Sequence, residues 1–348
     1  TNIFTFGLAN VATIKYRDKV IIPTKEYNQL VSAYNRYSKA IGLEDYIKSS
    51  FLKEVDEEKL VEGQLKGMFQ ALEDPYSVYM TQDEFKDFTE HTQGIYGGIG
   101  VMVTPGDDNL ITVVSPIEDT PGERAGIKTG DKIIKVNGEE FTADNMDKAV
   151  KLMKGAPNTK VSITIIRKGK DGKNEYIDMD IIREKIRLVT VKSSIIDNDI
   201  GYIKITSFDD LTYKDFKENL NSLMKKGIYG MILDLRSNPG GLLDVCVDVA
   251  DEFLDEGVVV YTESRNGDRI YERSNKAHVD IPLVVLVNEG SASASEILAG
   301  AIKDRNRGLL IGNKTFGKGV VQRIKQLSDG TGFKLTVSEY FTPNGINI

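Results

Sequence analysis

Cysteine and histidine are both scarce in this sequence, and their scarcity excludes several classes of protein. The 348 residues include one cysteine, Cys246, and two histidines, His91 and His278. A single thiol cannot form an intramolecular disulfide or a cysteine-rich metal site, and its apolar neighbours predict a small, buried side chain. Two histidines leave little support for a zinc hydrolase or for a catalytic triad that depends on histidine.

A net excess of positive charge and long apolar runs are lacking as well. The net charge is −7, so the electrostatic attraction that dominates nucleic-acid binding is missing and no nucleic-acid partner is expected. No apolar run approaches the ~18 residues that a membrane span needs, and no signal peptide is visible at Thr1. Because the first residue is not Met and the last strand-like segment ends abruptly, we expect the native protein to extend at both ends.

The remaining composition is that of a globular protein with room for two or three domains. Apolar residues at helical spacing predict an N-terminal helical segment over 1–55 and a further helical region over 56–93. A cluster of glycines then marks a boundary, and short strands with one helix predict a β-rich module over 94–185. Strands that alternate with helices over 186–348 predict an α/β layered domain.

The segment 284–298 predicts a buried strand that turns sharply into a helix. Ser293 falls at the start of this helix, where free N–H groups and the helix dipole favour developing negative charge. That position suits a nucleophilic hydroxyl. The pair Ser293 and Glu296 also matches a capping box, which would give the serine a purely structural role. This segment alone leaves both interpretations open.

A second segment, 312–322, nearly matches a phosphate-binding loop. Gly312, Gly317 and Lys318 have the required spacing, but Gly319 stands where a hydroxyl should meet a metal, and the following residues favour a strand. A lysine between two glycines can instead lie close to the backbone, lose water and act as a neutral base. His278 is the only rival base, and its polar surroundings predict an exposed loop.

A third segment, 234–243, places a Gly-Gly pair at a strand-to-helix turn. Such glycines expose backbone N–H groups of the kind that form an oxyanion hole, although they could equally relieve strain in a tight turn.

Together, these three segments resemble the C-terminal processing peptidases, also called tail-specific proteases, in order and spacing. Residues 74–79, with the sequence DPYSVY, resemble the family's approach to its PDZ domain, and residues 120–138 resemble the core of that domain. The resemblance covers about residues 55 to 345. It implies a crotonase-like, ClpP-like layered protease core with an inserted β-rich PDZ domain and an N-terminal helical segment.

The resemblance also implies the site residues of a serine endopeptidase. Ser293 would be the nucleophile and Lys318, 25 positions later, the general base, with Gln322 orienting the lysine. The amides of Gly241 and Ala294 would form the oxyanion hole. Such a mechanism passes through an acyl-enzyme and implies no metal and no cofactor.

In the PDZ region, the resemblance implies that the loop Gly98, Ile99, Gly100 and Val101 accepts the C-terminal carboxylate of a peptide. Partners would be proteins or peptides with accessible C-termini. A homodimer formed through the N-terminal segment, a regulatory protein partner and an extracytoplasmic location with an N-terminal tether are further expectations. The competing interpretation is an inert scaffold that binds protein C-termini without cleaving them.

Overall fold

The computed structural model describes residues 14–16, 19–169, 171–276 and 278–348. It divides the chain into two units, Thr1–Glu73 and Asp74–Ile348. Within the described residues, no helix combines the length and the apolar character needed to cross a membrane.

The first unit contains a short hairpin and two helices. Strands β1 (Ile14–Tyr16) and β2 (Lys19–Ile21) pair antiparallel and precede helices α1 (Thr24–Ser50) and α2 (Glu57–Gln70). The hairpin was not predicted, and residues 1–13 of the predicted helical segment lie outside the described residues. Helix α2 starts where the Asp56 side chain accepts a hydrogen bond from the Lys59 amide, as an N-cap does.

Helix α1 has a surface that is rich in large apolar side chains yet buries none of them within its unit. The exposed set comprises Tyr27, Leu30, Val31, Tyr34, Tyr37, Ile41, Leu43, Tyr46 and Ile47. An exposed apolar surface of this extent is typical of a region that contacts another protein.

The second unit opens with a turn, strand β3 (Val78–Met80) and helix α3 (Gln82–Gln93). Thr81 and Glu84 form a capping box at the start of α3. The helix ends at Gly94, which adopts the left-handed conformation with φ 67° that glycine tolerates without strain. The glycine that suggested a boundary in the sequence is therefore a helix C-cap.

The β-rich module follows. Its sheet contains β5 (Val101–Pro105), β6 (Ile111–Pro116), β7 (Lys132–Val136), β8 (Glu139–Glu140), β9 (Lys160–Lys168) and β10 (Asn174–Ile182), with helices α4 (Pro121–Arg124) and α5 (Met146–Met153). The strand order is β10-β9-β7-β6-β5, all antiparallel, so β5 is an edge strand. The ribbon β4 (Ile95–Gly98) and β11 (Glu184–Arg187) joins the module to the following domain. Buried Ile and Val side chains on β6, β7 and β9 form its own core.

The α/β domain has a first sheet in the order β12-β13-β14-β17-β18. Its strands are β12 (Val191–Ile196), β13 (Ile200–Ile205), β14 (Gly230–Asp234), β17 (Leu283–Val287) and β18 (Leu309–Gly312), and its helices are α6 (Thr212–Lys225), α7 (Leu243–Asp251) and α8 (Ala294–Asp304). Strand β12 is antiparallel and the others are parallel. Because β14 and β17 are neighbours and run parallel, the turns that follow them meet at one edge of the sheet.

A second, antiparallel sheet completes the domain. It contains β15 (Gly257–Ser264), β16 (Arg269–Ser274), β19 (Val320–Gln326) and β20 (Gly332–Phe341) in the order β16-β15-β20-β19, and β3 also pairs with β20. One hydrophobic core unites strands of both sheets with α6, α7 and α8. The domain is therefore a layered α/β fold of the predicted class, although the alternation of strands and helices in the sequence did not predict this second sheet.

Candidate active site

Ser293 lies at the sharp turn between strand β17 and helix α8, as the sequence predicted. Its backbone has φ 54° and ψ −115°, a conformation that residues other than glycine rarely adopt. Such strain costs about 1–3 kcal/mol and persists only where the surrounding structure imposes it, most often at functional sites. The geometry resembles a nucleophile elbow, in which a strained strand-to-helix turn presents a serine hydroxyl.

The two neighbouring serines hold this turn in place. The Ser291 hydroxyl donates a hydrogen bond to the Leu235 carbonyl (2.7 Å) and accepts one from the Asn288 amide (3.0 Å). The Ser295 hydroxyl donates to the Asn238 carbonyl (3.0 Å). Ser291 and Ser295 are fully buried, so their hydroxyls fasten the turn.

The Gly-Gly turn after β14 lies directly against Ser293. A Cβ added to Gly240 would fall 2.8 Å from the Ser293 Cβ and 3.0 Å from the Ala294 nitrogen, so no larger residue fits. Among the described residues, neither the Gly241 amide nor the Ala294 amide donates a backbone hydrogen bond. Two free N–H groups beside a serine are what an oxyanion hole requires.

Asn238, which is fully buried, connects the two turns. Its side chain accepts from the Gly240 amide (2.8 Å) and donates to the Ile205 carbonyl (3.0 Å). Its own carbonyl accepts from the Ala292 amide (3.0 Å). The glycine turn and the serine turn are therefore fixed to each other through one asparagine, which the sequence analysis did not single out.

A buried carboxylate fixes the start of the glycine turn. Asp234 is fully buried and accepts hydrogen bonds from Tyr202 (2.6 Å) and from two guanidinium nitrogens of Arg236 (2.6 and 2.9 Å). Burial alone would raise the pKa of Asp234, but the hydrogen bonds from Arg236 and Tyr202 lower it to about 2. The carboxylate is therefore ionised at physiological pH and holds this end of β14 rigid.

Glu296 links the serine turn to the loop that carries Lys318. Its carboxylate accepts hydrogen bonds from the amides of Ser293 (2.8 Å), Gly317 (2.6 Å) and Lys318 (2.9 Å). The capping-box interpretation therefore describes real contacts, because Glu296 does bond the amide of Ser293. The same carboxylate also positions the lysine loop, so the structural and functional interpretations of this pair do not exclude each other.

Lys318 lies in a partly buried setting. Burial lowers the pKa of its amine below the usual value, and the Lys334 cation lowers it further, whereas Asp74 and Glu296 raise it. Its Nζ lies 4.8 Å from the ring centroid of Tyr76. The loop before Lys318 is irregular and leads into strand β19 instead of a helix, so it lacks the architecture of a phosphate-binding loop.

Gln322 lies on β19, opposite Thr336 of β20. Its side-chain Nε2 is buried and has no hydrogen-bond partner in the described part of the chain. Buried amides without partners are rare, and each one calls for an explanation such as a group that arrives during catalysis. No hydrogen bond between described residues joins Ser293 Oγ, Lys318 Nζ and Gln322.

One cleft of about 440 Å³ contains Ser293, Lys318 and Gln322 together with Gly240 and Gly241. Phe88, Phe208, Leu242, Val321 and Ile324 supply apolar walls, and Lys334 adds a cation. The structure thus brings together residues from three separate segments that the sequence analysis selected.

The two histidines occupy different places. His278 is exposed, as predicted, and its Nδ1 lies 3.1 Å from the Lys276 carbonyl; it does not line the cleft. His91, in the last turn of α3, does line the cleft. The predicted exposure of His278 is therefore confirmed, but naming it the only rival base overlooked His91, because nothing local in the sequence indicated that α3 would line the cleft.

The predicted carboxylate loop joins β4, which ends at Gly98, to β5, which begins at Val101. Ile99 is buried, and Gly100 has φ 74° with no room for a Cβ, which would fall 2.3 Å from Thr120. The amides of Ile99 and Gly100 donate no backbone hydrogen bond to any described residue. The loop therefore offers free N–H groups next to an edge strand.

Cys246 is fully buried in α7, beneath the serine turn, and its Sγ lies 3.0 Å from the Ala294 carbonyl. This confirms the predicted small, buried side chain. Burial raises the pKa of the thiol well above its usual value. Across the described ranges, no three His, Cys, Asp or Glu side chains cluster in a way that could hold a metal ion.

Three sequence profiles match parts of the chain. The profile of peptidase family S41 matches residues 199–348, that of the PDZ domain matches residues 112–167, and that of the N-terminal domain of the activating protease CtpB matches residues 9–84. The three matches follow one another in the order of an N-terminal domain, a PDZ domain and a peptidase domain.

The chain is also similar over most of its length to named carboxy-terminal processing proteases. The chain is 42% identical to the carboxy-terminal processing protease CtpA of Bacillus subtilis, over 90% of this chain and 66% of that protein. It is 37% identical to the carboxy-terminal-processing protease of Bartonella bacilliformis, over 92% of this chain and 74% of that protein.

Among solved structures, the photosystem II D1 C-terminal processing protease matches with a TM-score of 0.52 and 29% identity, covering 87% of this chain and 82% of that one. A putative S41 protease from Bacteroides fragilis matches with a TM-score of 0.53, and its 14% identity supports the fold alone. The geometry of the cleft and these similarities agree: the chain belongs to peptidase family S41, among the CtpA-like carboxy-terminal processing proteases that carry a PDZ domain.

Proposed function

We propose that this chain is a serine endopeptidase that cleaves protein substrates at or near their C-termini with a Ser-Lys dyad. The observation that carries the proposal is the placement of Ser293, Lys318 and Gln322 in one cleft, beside the free amides of Gly241 and Ala294. Histidine-independent variants of the serine protease mechanism use a lysine as the base.

In the proposed mechanism, neutral Lys318 takes the proton of the Ser293 hydroxyl as Oγ attacks the scissile carbonyl. The carbonyl electron pair moves to oxygen, and the Gly241 and Ala294 amides stabilise the resulting oxyanion. Collapse of this intermediate expels the amine, which takes the proton from Lys318, and water then hydrolyses the acyl-enzyme. Burial, which lowers the pKa of Lys318, supports its role as a base at moderate pH.

Gln322 is proposed to orient Lys318. Both side chains line the same cleft, and a shift of Lys318 towards Ser293 could bring its amine within reach of the Gln322 carbonyl oxygen, which accepts hydrogen bonds. Substrate binding is the natural trigger for such a shift, since catalytic hydrogen bonds often tighten only in the complex.

The β-rich module over 94–185 is proposed to be the PDZ domain that recognises substrate tails and gates the site. The free amides of Ile99 and Gly100 could accept a terminal carboxylate, and the peptide would add as a strand to the open edge of β5. We also propose the remaining domain boundaries: the N-terminal helical segment ends at 55, the following helical region ends at 93, and the α/β protease core begins at 186.

The wider setting is proposed from family membership and from the surface of α1. The exposed apolar side chains of α1 support a homodimer formed through the N-terminal segment. An extracytoplasmic location with an N-terminal tether, and a regulatory protein partner, follow the same family pattern. The chain spans about two thirds of the B. subtilis relative, so its substrates belong to this proposal as well.

The test is degradation of casein by the wild type, Ser293→Ala and Lys318→Ala, with melting temperatures measured alongside. Both variants should lose cleavage at unchanged stability, because each removes one side chain that makes few fold-supporting contacts. Cleavage of a peptide with a free C-terminus, compared with its amidated form, tests tail recognition in the same assay. Ten per cent residual activity in Lys318→Ala would point to another base, and an inactive wild type would favour the tail-binding scaffold.

A further inference from the structure

The turn at residues 74–77 lies beside Lys318, the proposed base. In the sequence, this turn resembled only the segment that precedes the PDZ domain in the family. Asp74 accepts hydrogen bonds from the Ser77 hydroxyl (2.5 Å) and the Tyr76 amide (3.0 Å). Burial would raise the pKa of Asp74, but these hydrogen bonds, with that from Ser77 the stronger, lower it below its usual value. The carboxylate therefore stays ionised and holds the turn closed.

This turn is hydrogen-bonded to strand β20, which lines the cleft. The Ser77 hydroxyl accepts a hydrogen bond from the Thr336 amide of β20 (3.0 Å), and β3, which follows the turn, pairs with β20. Ser77 is buried. The position of Tyr76 is thus fixed by two elements of the protease fold, and its ring faces Lys318 Nζ at 4.8 Å from the ring centroid.

We propose that Tyr76 is a positioning residue for the general base: its ring face holds the Lys318 amine in the cleft and stabilises the ammonium that forms when Ser293 gives up its proton. This inference rests on the proposed function of Lys318 as the base. A lysine side chain has four rotatable bonds, and fixing it costs conformational entropy. A ring face that restricts the amine before the reaction lowers the cost of reaching the reactive position.

A neutral ring suits this role better than a carboxylate would. Three charged groups act on Lys318. The Asp74 carboxylate already accepts hydrogen bonds from Ser77 and the Tyr76 amide, and the Glu296 carboxylate accepts one from the Lys318 amide. The Lys334 cation repels the Lys318 ammonium. A carboxylate in direct contact would raise the pKa of Lys318 and keep the amine protonated, so that no neutral amine would be available to act as a base. The ring quadrupole attracts the cation only weakly, and it does so most when Lys318 is charged. The contact therefore strengthens along the reaction coordinate.

The test measures kcat and KM for peptide cleavage and the rate at which a fluorophosphonate probe phosphonylates Ser293. Tyr76→Leu removes the ring and should lower kcat and the labelling rate about tenfold, equivalent to about 1.4 kcal/mol, with KM unchanged. Tyr76→Phe keeps the ring face and should stay within about twofold of the wild type. Tyr229→Leu, at an exposed tyrosine outside the cleft, is the matched control and should have no effect.

The outcomes separate the inference from the proposed function. Equal labelling of Tyr76→Leu and wild type, or equal losses in Tyr76→Phe and Tyr76→Leu, would overturn the role of the ring. Labelling of Lys318→Ala at the wild-type rate would instead remove Lys318 as the base, and the inference with it. Should Tyr76→Leu fail to fold, Ser77→Ala loosens the turn while keeping the ring; a severalfold loss of labelling at unchanged KM supports the inference, and no loss contradicts it.

Discussion

The turn that carries Ser293 and the loop that carries Lys318 meet in one cleft, yet they are held in different ways. The serine turn is fixed by buried hydrogen bonds that the Ser291 and Ser295 hydroxyls donate and that the Asn238 carbonyl accepts, and its backbone is strained. The lysine loop is fixed at its backbone by Glu296, while the Lys318 amine lies over the Tyr76 ring. The difference indicates that folding sets the position of the proposed nucleophile, whereas the amine of the proposed base is held less tightly.

The largest expected effect comes from a substitution in the glycine turn that packs against Ser293. Gly240→Ala would place a Cβ 2.7 Å from the Ala292 carbonyl and 2.8 Å from the Ser293 Cβ, at a φ of 102° that alanine disfavours. We expect kcat/KM to fall at least 100-fold, because the oxyanion amides and Ser293 must move apart. Gly267→Ala, also at positive φ but in open space, is the control and should keep full activity. An active Gly240→Ala variant would mean that the turn is not rigid.

A smaller effect on activity, but a large one on stability, is expected from the residue that joins the two turns. Asn238→Ala leaves the Gly240 amide and the Ile205 carbonyl buried without their partner, at about 1–3 kcal/mol for each group. Urea unfolding should therefore show a loss of about 2–5 kcal/mol, with about tenfold lower kcat. Asn313→Ala, at an exposed position, should stay within about 0.5 kcal/mol. A loss below 1 kcal/mol for Asn238→Ala would contradict this account.

The smallest effect concerns the Lys318 amine and appears in the pH dependence of kcat/KM. In the proposed mechanism activity requires neutral Lys318, so it should rise with pH through the pKa of that amine. Because Lys334 lowers this pKa while Asp74 and Glu296 raise it, Lys334→Gln should move the acid limb to higher pH. The expected result is severalfold lower kcat/KM near pH 7 with recovery at higher pH. The exposed Lys314, changed to Gln, provides an equal charge change and should leave the limb in place.

Much of the protease domain could be predicted from the sequence because its signals are local. The buried strand predicted at the start of segment 284–298 is β17 (Leu283–Val287), a short β-branched run that ends in turn residues. Helix α8 begins one residue after the predicted Ser293, because that serine is the cap. These elements depend on neighbouring residues alone, which is why the pattern sufficed.

The parts that escaped prediction depend on contacts between distant segments. Strand β20 pairs with β19, β15 and β3, which come from three different regions of the chain. Tyr76 contacts Lys318, and His91 lines the cleft, only because distant segments come together, and neither residue carries a local signature of a site. Sequence resemblance supplied the residues of the proposed dyad, whereas the groups that shift the pKa of Lys318 became visible only in three dimensions.

The buried Cys246 makes the chain well suited to site-specific labelling. The Cys246 thiol is fully buried and its pKa is raised. Labelling reagents react with accessible thiolates, so Cys246 should not react. A second cysteine introduced on the surface would therefore react selectively in the otherwise native protein. Pairs of such labels, one on the PDZ module and one on the protease domain, would report distances between these two parts during substrate turnover.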